Sequence, residues 1–146
     1  MHRCTQKVTF GDCDPAGIVF YPNTFRWMDA AFHDFLRTRG GGHDQICRDL
    51  GAIGIGLAKV SASFHAPMRD GDVLDLHVSV GTPGQTSVEL TYNGFVGERL
   101  AFKGNETRAL FINTERGISA GDIGPLLGIL TDLGTLAGRS LSGDEL

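Results

Sequence analysis

Two carboxylates, Asp12 and Asp14, stand two residues apart in Gly11-Asp12-Cys13-Asp14-Pro15-Ala16-Gly17, a run whose Asp, Pro and Gly content is that of a loop. Directly after it Ile18-Val19-Phe20-Tyr21 turns apolar, and Pro22 suits a first helical turn, where the amide it lacks would have no intrahelical acceptor. The first N–H groups of a helix carry partial positive charge and have no partners within the helix. They polarise a carbonyl oxygen and hold the oxyanion formed on attack, while a neighbouring carboxylate attacks the carbon or activates water. That is the equipment of a hydrolytic site. A thioester suits it, because a thiolate leaves with little acid assistance and no histidine is required. The same residues admit a plainer reading, in which both aspartates shape the loop through Asx-type hydrogen bonds, and their spacing does not choose between the two.

The element that must present this loop is a helix running from about Pro22 to Arg39, stopped by Gly40-Gly41-Gly42. Phe25, Met28, Phe32, Phe35 and Leu36 recur at helical spacing and form an apolar stripe. Asp29 falls about 40° from Phe25 on the edge of that stripe, where a carboxylate is costly unless paired. It either contacts substrate or is satisfied by protein groups. Trp27 and Ala31 fall off the stripe and point to a second covered surface, such as a subunit contact. Strand texture precedes the helix at Cys4–Phe10 and resumes at Ile55–His65, Val73–Thr82, Thr86–Val96 and Leu100–Asn113. Turn residues in Met68-Arg69-Asp70-Gly71-Asp72 and between the later strands predict a meander. His43–Leu50 suits a short helical turn, and Gly121–Leu130 a last helix weakened by Gly124, Pro125 and Gly128. The expectation is an α+β domain over residues 1–130, an antiparallel sheet of about five strands packed on one long helix. A Gly- and Ser-containing tail, 131–146, is expected to fray.

The 146 residues, 41% hydrophobic and 21% charged, fit a single globular domain, and the 21 glycines predict many tight turns. A net charge of −4 without a basic run argues against a nucleic-acid partner. No stretch is apolar enough to span a bilayer and no leader is visible, so a cytoplasmic home without membrane contact is expected. Cys4, Cys13 and Cys47 lack a CxxC pair, and the five histidines lack an HExxH or HxxxH pair, so neither a disulfide framework nor a metal is expected. Gly51, Gly54 and Gly56 are out of order for a dinucleotide fingerprint and suit a loop leading into a strand. Cys13, between two aspartates, is poorly placed to form a thiolate. His65 and His77 sit in strand texture and receive no role.

From Phe10 to Asn23, followed by Arg26-Trp27-Met28-Asp29-Ala30-Ala31, the sequence resembles the signature of the 4-hydroxybenzoyl-CoA thioesterase family, and the later strands, with Ser61-Ala62-Ser63-Phe64, are compatible through about Asn113. The resemblance implies a hotdog fold, in which the sheet wraps the long helix, and homodimers or homotetramers with active sites at a subunit interface. It implies acyl-CoA hydrolysis without a cofactor, coenzyme A being part of the substrate. By position, Asp14 looks like the catalytic nucleophile or general base, and the Tyr21 N–H like the group that polarises the carbonyl. Gly17, Phe20 and Asp29 look like substrate-binding positions, with Asp29 at the place that meets the hydroxyl of an aromatic acyl group. The turn Thr82-Pro83-Gly84-Gln85-Thr86-Ser87 is neutral where such members carry basic residues, leaving Arg69, Arg99 or Lys103 to meet the CoA phosphates. A non-catalytic module binding acyl-CoA or an acyl-carrier protein is the alternative. A hotdog hydratase or dehydratase is disfavoured, because Gly11–Asn23 holds no histidine.

Overall fold

The computed structural model describes residues 1–131. Its elements are β1 (His2–Lys7), a 3-10 turn at Phe10–Asp12, α1 (Pro22–Gly40), α2 (His43–Leu50), β2 (Gly54–Phe64), β3 (Val73–Pro83), β4 (Val88–Val96), β5 (Arg99–Thr114), β6 (Gly117–Ala120) and α3 (Gly124–Leu130). All strand pairings are antiparallel, in the order β1-β3-β4-β5-β2 with β6 also on β5. The long helix, the five expected strands and both short helices are present. Apart from Thr131, the expected tail lies outside the described residues.

Two expectations need correction. The strands β3, β4 and β5 form a meander, but β2 takes the far edge beyond β5, so residues 65–72 cross the sheet instead of closing a hairpin. The Met68–Asp72 turn is real: Arg69 N–H donates to Asp72 Oδ2 at 2.8 Å, and Val8 N–H binds the Asp72 carbonyl at 2.8 Å. Turn residues bend the chain without specifying which strand comes next; pairing of β2 with β5 does that, from Gly54↔Phe111 to Phe64↔Phe102. The first strand also stops at Lys7 rather than Phe10, because residues 10–12 close into a 3-10 turn.

Helix α1 buries Trp27, Met28, Ala31, Phe32, Phe35 and Leu36, together with Thr24. The off-stripe Trp27 and Ala31 are therefore covered by their own chain, beside Cys4 and Leu76 of β1 and β3, and not by a second subunit. Burying side chains of this size stabilises by roughly 1.5–3 kcal/mol each. Gly104 of β5 allows the closest approach of helix to sheet, since a Cβ there would lie 2.5 Å from Met28 Cε. Phe102, Gly104, Glu106 and Arg108 alternate along β5 and face the helix. Their partners Phe64, Ala62, Val60 and Leu57 on β2 share that face, yet Phe64, Val60 and Leu57 are exposed, so the helix leaves the edge strand uncovered.

Candidate active site

The two aspartates of the loop have different work. Asp12 accepts from the Thr9 N–H at 2.8 Å and the Thr9 hydroxyl at 2.9 Å, and Arg26 reaches its other oxygen at 3.3 Å. Its carbonyl accepts from Phe20 N–H at 2.9 Å and from Asn23 Nδ2 at 2.8 Å. Asp12 thus ties the loop to both the end of β1 and the start of α1. Asp14 uses one carboxylate oxygen to accept the Ala16 N–H at 2.9 Å, an Asx turn, and its other oxygen has no partner among the described residues. The loop closes through Asp14 N–H to Ile18 carbonyl and Gly17 N–H to Asp14 carbonyl, both 2.9 Å, and Gly17 supplies the φ of 82° that the turn requires. The plainer reading therefore fits Asp12 in full and Asp14 in half.

At the start of α1, Asn23 and Thr24 N–H groups bond back to Phe20 and Tyr21 carbonyls at 2.9 and 3.0 Å, while the Tyr21 N–H has no acceptor among the described residues. Tyr21 lines an apolar cleft of about 340 Å³ with Ile18, Val19, Phe64, His65 and Met68. Asp14 is not among the residues lining it; its loop joins it through Ile18. The Phe20 ring is half-exposed and lies edge-on to Tyr21, with centroids 5.6 Å apart. His65, given no role by the sequence, is exposed in this cleft, and no spacing rule marks it, because it follows the end of an edge strand. Of the candidate CoA-binding cations, Arg99 donates to the carbonyl of cleft-lining Pro67 at 3.3 Å, and Arg69 follows cleft-lining Met68 in the chain. Lys103 alternates with Phe102 and Gly104 and projects from the opposite face of the sheet.

Asp29 is elsewhere, its side chain 56% exposed on the flank of α1 and bonded to Arg108 at 2.9 Å. Arg108 is only 2% exposed, and it grips both oxygens of the equally buried Glu106 at 2.8 and 3.1 Å while stacking over the Phe32 ring at 4.0 Å. The Tyr92 hydroxyl donates to the same Glu106 carboxylate. Burial pulls the Arg108 pKa down, but the Glu106 hydrogen bonds and charge outweigh it, and the net shift is upward. Burial, then the Glu106 charge, pushes the Tyr92 hydroxyl far up. His33 lies 3.7 Å from Asp29; burial lowers its pKa, with Arg108, His43 and Arg37 adding to the effect and Asp29 opposing it. Sequence reading missed Glu106 and Arg108. Their one signal is two opposite charges at period two inside an otherwise apolar strand face.

An antiparallel sheet curled on one long helix, with an acidic loop feeding the helix start, is the hotdog architecture. The sequence model of the thioesterase superfamily matches residues 16–102, more than half of the chain, and the chain belongs to that superfamily. It is 37% identical over 76 residues to 4-hydroxybenzoyl-CoA thioesterase of Pseudomonas sp. strain CBS-3, covering 51% of this chain and 54% of that protein. With a 1,4-dihydroxy-2-naphthoyl-CoA hydrolase of Prochlorococcus marinus it is 30% identical over 77 residues, covering 50% and 51%. These alignments span about half the length of the two relatives. The crystal structure of the Pseudomonas enzyme superposes with a TM-score of 0.73 at 28% identity, covering 83% of this chain and 91% of that one. A gentisyl-coenzyme A thioesterase superposes with a TM-score of 0.67 at 32% identity, covering 73% and 87%.

Proposed function

We propose that this protein hydrolyses an acyl-CoA thioester, with an aromatic and hydroxylated acyl group preferred, to the free acid and coenzyme A. The observation that carries the reading is the division of labour at the helix start: Asp12 is consumed by the loop, whereas Asp14 keeps one oxygen free on the loop that leads to an unpartnered Tyr21 N–H. The Tyr21 N–H donates to the thioester oxygen as negative charge builds there. Asp14 either attacks the carbon, giving an acyl anhydride that water then cleaves, or takes a proton from the water that attacks. In both routes the C–S bond breaks and the thiolate leaves. Three relatives are named for aromatic acyl-CoA thioesters, 4-hydroxybenzoyl, 1,4-dihydroxy-2-naphthoyl and gentisyl, which supports the acyl class. Arg99 and Arg69, beside cleft-lining residues, suit the CoA phosphates better than Lys103 does.

Asp29 lies eight residues along the helix from Tyr21, about 12 Å at 1.5 Å per residue, farther than a single aromatic ring reaches. For Asp29 to meet the acyl group of this site, it must come from a second copy. The exposed Leu57, Val60 and Phe64 face of β2 gives such a copy its contact, so the functional unit in this reading is a homodimer or a tetramer built from it. Absence of Asp14 from the lining of the single-chain cleft favours one second reading, a module that binds acyl-CoA without cleaving it. The test is turnover of benzoyl, hydroxybenzoyl, phenylacetyl and straight-chain acyl-CoAs by wild type and Asp14→Asn. A loss of roughly 10²–10⁴-fold in kcat with little change in KM is expected. Tight binding without turnover by the wild type overturns the enzymatic reading, and equal rates of the two proteins overturn the role of Asp14.

A further inference from the structure

His2 and Cys4 are two residues apart on β1 and project to the same side, toward α1, while Arg3 and Thr5 project outward. Asp34 of α1 meets them: His2 Nε2 lies 2.7 Å from Asp34 Oδ2. A ring nitrogen of His2, the Cys4 sulfur and an Asp34 oxygen all fall within 4.8 Å of one another. The His2 ring is held by stacking on Phe35, with centroids 4.9 Å apart and planes 10° from parallel. Arg37 approaches the other Asp34 oxygen, at 4.0 Å, and leaves Oδ2 to face the cluster. Beside it opens a small cleft of about 150 Å³, lined by Cys4, Asp34, Trp27 and Leu76 among others. Trp27 is buried there, and its indole N–H has no acceptor among the described residues.

We propose that His2, Cys4 and Asp34 bind a divalent transition-metal ion of the zinc class, with a water from the adjoining cleft completing the coordination. The donor set selects the ion. An imidazole nitrogen and a thiolate sulfur suit zinc and its neighbours, whereas magnesium and calcium prefer all-oxygen shells. One thiolate and one carboxylate neutralise a doubly charged ion. Tetrahedral bonds of about 2.0–2.3 Å place ligand atoms roughly 3.3–3.7 Å apart. The close His2–Asp34 pair opens slightly, and the widest gap closes by side-chain rotation. Burial, followed by the charges of Asp34 and Asp75, raises the Cys4 thiol pKa, so the thiol keeps its proton until the ion arrives and releases it on binding. A search for paired ligands within one element passes over this set, since the third ligand comes from a helix thirty-odd residues away. The bound ion would cross-link β1 to α1 on the side of the helix away from β2.

Cobalt serves as the optical probe, added to tag-free, chelator-treated full-length protein. One equivalent of Co²⁺ is expected to bind with a thiolate-to-cobalt absorption band that Zn²⁺ displaces. Cys4→Ser should abolish the band, Cys47→Ser should keep it, and Asp34→Asn should weaken binding about tenfold or more. In the unmutated protein, Zn²⁺ should slow alkylation of Cys4, read by peptide mass, without slowing Cys13. Failure of Co²⁺ to bind, a band that survives Cys4→Ser, or alkylation of Cys4 unaffected by Zn²⁺ each overturns the proposal and leaves His2 and Asp34 as a plain hydrogen-bonded pair.

Discussion

Replacing Arg108 with Ala tests the buried charge network, and the structure sets its cost. Arg108 makes two hydrogen bonds to Glu106 and one to Asp29, and its guanidinium covers the Phe32 ring. Without it, Glu106, only 2% exposed in the intact fold, keeps Tyr92 as its one side-chain partner among the described residues. Stranding one member of a buried ion pair costs about 3–5 kcal/mol, a large share of the 5–15 kcal/mol that holds a domain together. Removing both charges at once, as Glu106→Leu with Arg108→Met, restores apolar packing but strands the buried Tyr92 hydroxyl at about 1–3 kcal/mol, so it should recover part of that loss. The gap between the single and double variants, about 2 kcal/mol by the same figures, measures what the stranded charge costs beyond a stranded hydroxyl. Urea unfolding followed by fluorescence of Trp27, the one tryptophan in the chain and a buried one, measures all three proteins. A single variant that loses less than about 1 kcal/mol, or a double variant no more stable than the single, refutes the reasoning.

Asp12→Ala should cost about 1–2 kcal/mol through the lost Thr9 hydrogen bonds, and it should lower kcat by displacing Asp14 and Tyr21, with Asp12→Asn restoring part of both; activity unchanged in the Ala variant would separate the loop's anchor from its chemistry. Asp29→Ala should shift preference from hydroxylated toward unsubstituted aromatic acyl-CoAs while leaving kcat on benzoyl-CoA near wild type; an unchanged preference returns Asp29 to holding Arg108. His33 has a folded pKa below its ordinary 6.5, so below that value the unfolded chain takes up a proton that folded His33 refuses, and stability falls as pH drops through this window. Urea midpoints measured from about pH 7.5 down to about pH 5 should show that fall, and His33→Gln should flatten it; an equal slope in the variant would assign the fall to another group.

The long helix was legible because an apolar stripe, a proline start and a triple-glycine stop agree over its whole length. Five strands were legible as texture, with ends off by a residue or two except at β1, where the 3-10 turn at Phe10–Asp12 ends the strand early; the short β6 was not legible. Strand order was not legible, because the pairing of β2 with β5 joins residues some fifty positions apart and leaves no local mark. The same limit hid the polar partners. Asp29 stood out as a carboxylate beside an apolar stripe, but its partner, Arg108, lies on another element. Asp34 meets His2 only through the docking of β1 on α1, which nothing local to the helix records.

The acidic loop shows why fold and chemistry separate so cleanly at the two aspartates. Both residues have the same type, the same loop and nearly the same sequence context, so no rule of composition ranks one over the other. What ranks them is geometry after folding: Asp12 sits where the end of β1 and the first turn of α1 converge, and both oxygens of its carboxylate are engaged. Asp14 lies two residues on, past that junction, where the chain bends through Gly17 and has one N–H to offer its side chain. A carboxylate that the fold does not consume is the one still able to meet a substrate. On the proposed function the loop uses both, one to hold the bend and the other left free, and substituting either should lower activity by a different route.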